Sequence, residues 1–167
     1  MSQLIDKPDI IWIGTSTVTE LISECEKTTP NETGGVLMGY WGSPKAEPVI
    51  THVIGPGPAA IHEPCRFVPD HDYQLNEIAR VYELSQRTLC YLGDWHSHPG
   101  GTGNLSYRDL LTLRRIANSH TARVDYPLML IVSGGSKWEL NGWQYEIHRK
   151  WFWSFSGIRS MQITTYE

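Results

Sequence analysis

Apolar positions along the chain recur with two periods, and the switches between them mark alternating strands and helices. Residues 9–13 (DIIWI) are a short apolar run and predict a first strand. Val18, Leu21, Ile22 and Cys25 then recur at helical spacing. Thr17 as N-cap with Glu20 at the third helical position predicts a capping box, and Pro30 a stop. Residues 34–40 (GGVLMGY) read as a buried strand. Between 44 and 69 stand Pro44, Pro48, Pro56, Pro58, Pro64 and Pro69, and only PVITHVIG at 48–55 reads as a strand there. From Asp70 to about Gln86, Leu75, Ile78, Ala79, Tyr82 and Leu84 predict a helix. The strand TLCYLGDWHSH follows, then the glycine-rich loop PGGTGNL. Ser106 opens a helix whose Leu110, Leu113, Ile116 and Ala117 form the expected core stripe. YPLMLIVSGG is a buried strand, and KWELNGWQYEIHR predicts two strands turning at Asn141-Gly142.

Strands alternating with helices in this way predict a mixed α/β fold. The chain has 167 residues, 40% of them apolar and 19% charged, which suits one soluble domain spanning 1–167. No repeat or linker divides it. With 14 basic against 18 acidic residues the net charge is −4, and no Lys/Arg run occurs. Nucleic acid is therefore not the expected partner, because phosphate binding needs a concentrated basic footprint. Cys25, Cys65 and Cys90 are too scattered for a disulfide framework, and no C-x-x-C pair exists to hold structural zinc. The charged start of the chain lacks an apolar signal segment, and no apolar window is long enough to span a bilayer. The expectation is a reducing, cytoplasmic setting without membrane contact.

One constellation carries chemistry. His96-Ser97-His98-Pro99 is followed, six residues on, by Ser106-Tyr107-Arg108-Asp109. In a strand, residues i and i+2 share a face with Cα atoms about 6–7 Å apart. Two imidazoles at that spacing can converge on one metal ion while Ser97 points away. Pro99 stops the strand, and the glycines after it let the chain fold back to deliver Asp109 as a third ligand. Two imidazoles and a carboxylate leave a fourth position open, the arrangement of a catalytic rather than a structural zinc. Such a site also needs a base outside the ligand set. Glu32 is the candidate, since a charged residue entering the apolar strand ETGGVLMG requires a polar purpose. The residues alone leave that assignment open.

Glu32, His96-x-His98-Pro99 and Ser106-x-x-Asp109 together resemble the motif of the JAMM (MPN-plus) metalloproteases. The flanks ETGGVLMG and GDWHSHP are similar to those of bacterial members, and the resemblance covers about residues 18–133. It leaves 134–167 as C-terminal strands and an aromatic tail. The resemblance implies a cytidine-deaminase-like central mixed β-sheet flanked by helices. It also implies one catalytic Zn2+ per chain on His96, His98 and Asp109, with Glu32 as general base and acid and Ser106 donating to the oxyanion. The implied reaction is hydrolysis of the amide bond after the C-terminal residue of a ubiquitin-like modifier or a conjugated nucleotidyltransferase. The implied setting is a bacterial antiviral operon that also encodes E1- and E2-like proteins. The substrate tail is expected to lie extended between the 42–69 segment and the 99–105 loop.

Other readings stand beside this one. His-x-His alone suits two surface histidines, and Ser106-x-x-Asp109 alone is a helix capping box. A non-catalytic MPN scaffold and a processing peptidase for a sulfur-carrier protein are the alternative functions. Asp94 and Trp95 are expected to support the ligands or the core rather than to be ligands, and Cys90 to be an inert buried thiol. His52, His62, His71, His120 and His148 lack ligand spacing and read as surface or loop residues. His62-Glu63-Pro64-Cys65 lacks the spacing of a deaminase motif. The aromatic cluster Trp151-Phe152-Trp153-Ser154-Phe155 is expected either to close the core or to form an interface.

Overall fold

The first apolar run becomes strand β1 (Ile10–Gly14), followed by helix α1 (Thr15–Thr28) and the strands β2 (Gly34–Gly42) and β3 (Glu47–Ile54). A short hairpin of β4 (Ile61–Glu63) and β5 (Arg66–Val68) precedes α2 (His71–Leu84) and β6 (Cys90–Pro99). Then come α3 (Tyr107–Ala117), β7 (Leu128–Gly134), β8 (Trp138–Lys150) and β9 (Trp153–Tyr166). The computed structural model describes residues 10–43, 47–150 and 153–167, with 147–150 and 153–156 described by their backbone alone.

The expected mixed sheet is present, and it closes on itself. Its order is β1-β3-β2-β6-β7-β8-β9, and β1 returns to pair with β9 in parallel. Closure leaves the large sheet no free edge. β4 and β5 form a separate two-stranded sheet. Strand faces alternate between cores, which is why β2 and β7 read as continuous apolar runs. In β7, Leu128, Leu130 and Val132 join the main core with Trp95 and Leu37, and α1 adds Leu21 and Cys25. Met129 and Ile131 point the other way, against Leu113 of α3 and Tyr145. Val36 and Met38 of β2 similarly meet Val81 of α2. Each such buried side chain contributes about 1.5–3 kcal/mol.

Tertiary packing overrides the local reading at several places. α1 starts at Thr15 with Gly14 at its N-cap and no side-chain cap, so the Thr17–Glu20 capping box does not form. Thr17 is buried inside the helix, where its hydroxyl donates to the Thr51 carbonyl at 3.2 Å. In α2, Asp70 caps as a helix start should, accepting from the Tyr73 amide at 3.1 Å. Its buried face is Gln74, Ile78 and Val81, whereas Leu75, Tyr82 and Leu84 are exposed. That face packs Ile78 and Val81 against Val36, Met38 and Ile54, and Gln74 is accommodated beside them because its amide donates to the Gly55 carbonyl. Leu110 is likewise exposed on α3, and Leu113 carries the packing.

No turn forms at Asn141-Gly142. β8 runs straight through, with Gly142 paired to both Leu130 and Met161. A strand with a neighbour on each side has no room to reverse there. A Cβ at Gly142 would come within 2.6 Å of Ile11. The aromatic cluster at 151–155 lies outside the described side chains. Among the described residues no helix is long and apolar enough to cross a membrane.

Candidate active site

The site is built on β6, which pairs antiparallel with β2 and parallel with β7. Its residues alternate: Trp95 and Ser97 are buried inward, while Asp94, His96 and His98 are half-buried on the opposite face. Close approach of β2 requires glycine. Gly34 stands opposite His96, and a Cβ on it would lie 2.6 Å from the Trp95 carbonyl and 2.9 Å from the His96 side chain.

His98 Nδ1 bonds the Thr102 carbonyl at 2.8 Å. A carbonyl can only accept, so Nδ1 carries the proton and Nε2 presents a lone pair. That lone pair faces His96 Nε2 at 3.0 Å. Asp109 completes the group, with Oδ1 at 3.1 Å from His96 Nε2 and Oδ2 at 3.7 Å from His98 Nε2. Among the described residues these three make the one set of side chains able to share a metal ion. Donors held about 2.0–2.1 Å from a tetrahedral ion stand roughly 3.3 Å apart, so the set fits such an ion.

Asp109 is held by its own helix. Ser106 caps α3, its hydroxyl accepting from the Asp109 amide at 3.3 Å, while Asp109 Oδ2 accepts from the Ser106 amide at 2.6 Å. The capping box and the candidate metal site therefore share one structure, and neither reading excludes the other. Burial alone would raise the Asp109 carboxyl, but hydrogen bonds and charge from His96, with hydrogen bonds from Ser106, hold it below its ordinary value.

Glu32 lines the same groove as His96, His98, Ser106 and Asp109. Burial raises its carboxyl above the ordinary range, and the charges of His96 and His98 oppose that rise. The β4–β5 hairpin clamps its backbone on both sides. The Glu32 amide donates to the Glu63 carbonyl at 2.9 Å, and His62 Nδ1 donates to the Glu32 carbonyl at 2.9 Å. His62 is thus no idle loop residue. No spacing signals it, because its partner lies 30 positions away. Ser97 is tied to Thr33, next to Glu32, and strand alternation already pointed it to that inner face.

Asp94 lies on the groove floor and accepts from the Tyr91 hydroxyl at 2.8 Å; burial pushes its carboxyl up to about 6. Trp95 is core, its indole donating to the Ile54 carbonyl. Burial raises the Cys90 thiol, in keeping with an inert residue. His71 is exposed at the start of α2 and borders the groove. His52 and His120 are exposed.

The groove has a volume of about 900 Å³. Its walls are the hairpin around Cys65, Arg66 and Phe67 on one side and α3 from Tyr107 to Arg115 on the other. Of the expected 42–69 wall only 65–69 borders it, with Gly35 of β2 and the Glu32 turn beneath. The 99–105 loop supports His98 from behind instead, held to β8 where the Trp143 indole donates to the Gly103 carbonyl at 3.0 Å.

Residues 15–148 match the family described as prokaryotic homologs of the JAB domain. The chain is 37% identical over 145 residues to "Probable metalloprotease y4qB" of Sinorhizobium fredii, covering 86% of this chain and 88% of that protein. It is 28% identical over 125 residues to the "CD-NTase/cGAS isopeptidase" of Enterobacter hormaechei, covering 74% and 67% respectively. The fold is similar to the solution structure of protein DSY2949 from Desulfitobacterium hafniense. That match has a TM-score of 0.65 at 21% identity and covers 94% of this chain and 93% of the other.

Proposed function

The chain belongs to the prokaryotic homologs of the JAB domain, and from that membership we propose that it is a zinc-dependent peptidase or isopeptidase acting on a protein conjugate. The observation that carries the reading is the convergence of His96, His98 and Asp109 within 4.8 Å of one another, in a groove shared with Glu32. His96, His98 and Asp109 would hold a Zn2+ ion, which would supply Lewis acidity for a carbonyl and lower the pKa of a water toward neutrality.

The chain's own groups carry the rest. Thr102 and Ser106 fix the orientation of the ligands His98 and Asp109. Glu32, its carboxyl raised by burial, takes a proton from the attacking water and passes it to the leaving amine. The Ser106 hydroxyl already accepts from the Asp109 amide, so its hydrogen is free to donate to the oxyanion on the scissile carbonyl. The groove takes an extended tail. The name "CD-NTase/cGAS isopeptidase" borne by two relatives supports a nucleotidyltransferase conjugate as the protein that bears it. A ubiquitin-like modifier, and an antiviral operon with E1- and E2-like proteins, rest on the motif resemblance of Glu32, His96-x-His98-Pro99 and Ser106-x-x-Asp109. Three free cysteines support a reducing cytoplasm.

The test is cleavage of a fusion made with a small protein encoded beside this one, with a chelator control. Glu32→Gln is expected to keep about one zinc per chain and lose cleavage. Full activity in that variant would overturn the role of Glu32, and a wild type free of metal yet active would overturn the mechanism.

A further inference from the structure

The α3 wall of the groove carries a charge pattern that hydrolysis itself does not use. Arg108, Thr112 and Arg115 fall at i, i+4 and i+7, so they share one helix face, and all three border the groove. Arg66 borders it from the hairpin opposite. Three carboxylates, Glu32, Asp94 and Asp109, line the same groove, so the positive charge is concentrated at these wall positions and not over the groove as a whole.

These guanidinium groups make few direct bonds, although the charge of Arg108 reaches the Glu32 carboxyl. Arg108 makes a long hydrogen bond, 3.3 Å from its guanidinium to the neutral Cys65 carbonyl. Arg66 meets Glu63 at 3.7 Å with both side chains exposed. Arg115 pairs with no carboxylate among the described residues. The groove's own acids are committed elsewhere: Asp109 to the histidines and the Ser106 amide, Asp94 to the Tyr91 hydroxyl. Glu32 is the base proposed for the proton transfer. A planar guanidinium fork is shaped to receive a carboxylate.

We propose that Arg108 and Arg115 select acidic side chains in the substrate tail, at positions within about three residues of the cleaved bond. This rests on the reading of the groove as the seat of an extended tail. The spacing follows from two rises. Arg108 adjoins the metal-binding Asp109, and Arg115 stands seven residues further, about 10 Å along the helix. An extended peptide covers that length in about three residues at roughly 3.3 Å each. Arg108 therefore reads a residue close to the scissile bond, and Arg115 one near the far end of that span. A basic tail meets repulsion along the same wall.

The test is direct binding, measured by fluorescence anisotropy on the zinc-loaded Glu32→Gln protein, which is kept from turning over. The probes are fluorescein-labelled Gly/Ser peptides bearing two Glu or two Lys residues three positions apart. The Glu peptide is expected to bind about tenfold more tightly than the Lys peptide at low salt, with the gap narrowing as salt rises. The Arg108→Glu/Arg115→Glu double variant should reverse the order. Equal binding of the two peptides, or a preference that survives the double reversal, overturns the proposal. A parallel cleavage assay with the wild-type protein separates the two readings. Cleavage without acid preference removes only this one. Acid-selective binding with no cleavage of any conjugate or peptide removes the hydrolytic reading and leaves only the selection of acidic side chains by the two arginines.

Discussion

Ser97 and Thr33 are bonded to each other twice. The Thr33 amide donates to the Ser97 hydroxyl at 2.9 Å, and the Ser97 amide donates to the Thr33 carbonyl at 2.8 Å. Ser97 sits between the two metal-facing histidines and Thr33 follows Glu32, so this pair fixes the ligand strand against the proposed base.

Replacing Ser97 by Ala leaves the Thr33 amide buried without its partner, which costs about 1–3 kcal/mol. Turnover is expected to fall more steeply than zinc content, because the base shifts while the imidazoles stay in place. Urea unfolding beside metal analysis checks this. Turnover that falls only in step with bound zinc would contradict it.

Asp109 is both helix cap and proposed ligand, and two substitutions separate the jobs. Asp109→Asn can still accept from the Ser106 amide, so stability is expected to hold. Its zinc affinity should drop beyond the roughly 10–100-fold that loss of a supporting partner costs. Asp109→Ala loses zinc equally and also about 1 kcal/mol of stability with the cap. Equal unfolding midpoints for the two variants would refute the division.

Asp94 gives a pH signature in the metal-free protein. Its carboxyl titrates at about 6 in the fold because of burial, against about 3.9 in an unfolded chain. Between those values the folded state holds a proton that the unfolded state does not. Its contribution to stability therefore grows as pH falls from 7 toward 4, and the buried charge is a liability above 6. Asp94→Asn should remove that slope. Thermal midpoints of both proteins between pH 4.5 and 8 provide the check, and parallel curves would show that Asp94 is not the cause.

His62 acts on Glu32 through its backbone, so it is a positioning residue. His62→Phe keeps a ring beside Phe67 but loses the bond to the Glu32 carbonyl. We expect kcat to fall about tenfold or more at unchanged zinc content, with the acid limb of the pH profile displaced. His62→Gln, which can still donate, should recover part of the loss. Identical kcat and pH profile in His62→Phe would remove the role.

Gly34→Ala tests the close pairing of β2 and β6. The added methyl meets the Trp95 carbonyl and His96, and overpacking of this kind costs about 1–3 kcal/mol. Zinc binding should weaken with it, because His96 must move. Calorimetry together with a zinc titration reads both effects.

What the sequence determined by itself was local. Period-two and period-3.6 patterns placed the strands and helices, since each pattern reports how a single element buries one face. The i, i+2 histidines on a strand and the N3 acid of a capped helix placed the proposed ligands His96, His98 and Asp109, because both geometries are set by short-range backbone rise. Tertiary structure decided everything that joins distant segments. It closed the sheet by pairing β1 with β9, carried β8 through Asn141-Gly142 because both its edges are taken, and turned Gln74 inward in place of Leu75. It also set a proline-rich stretch as a hairpin that grips Glu32 from His62 and Glu63. These contacts depend on which surfaces meet after folding, and no periodicity along the chain encodes a hydrogen bond across 30 residues.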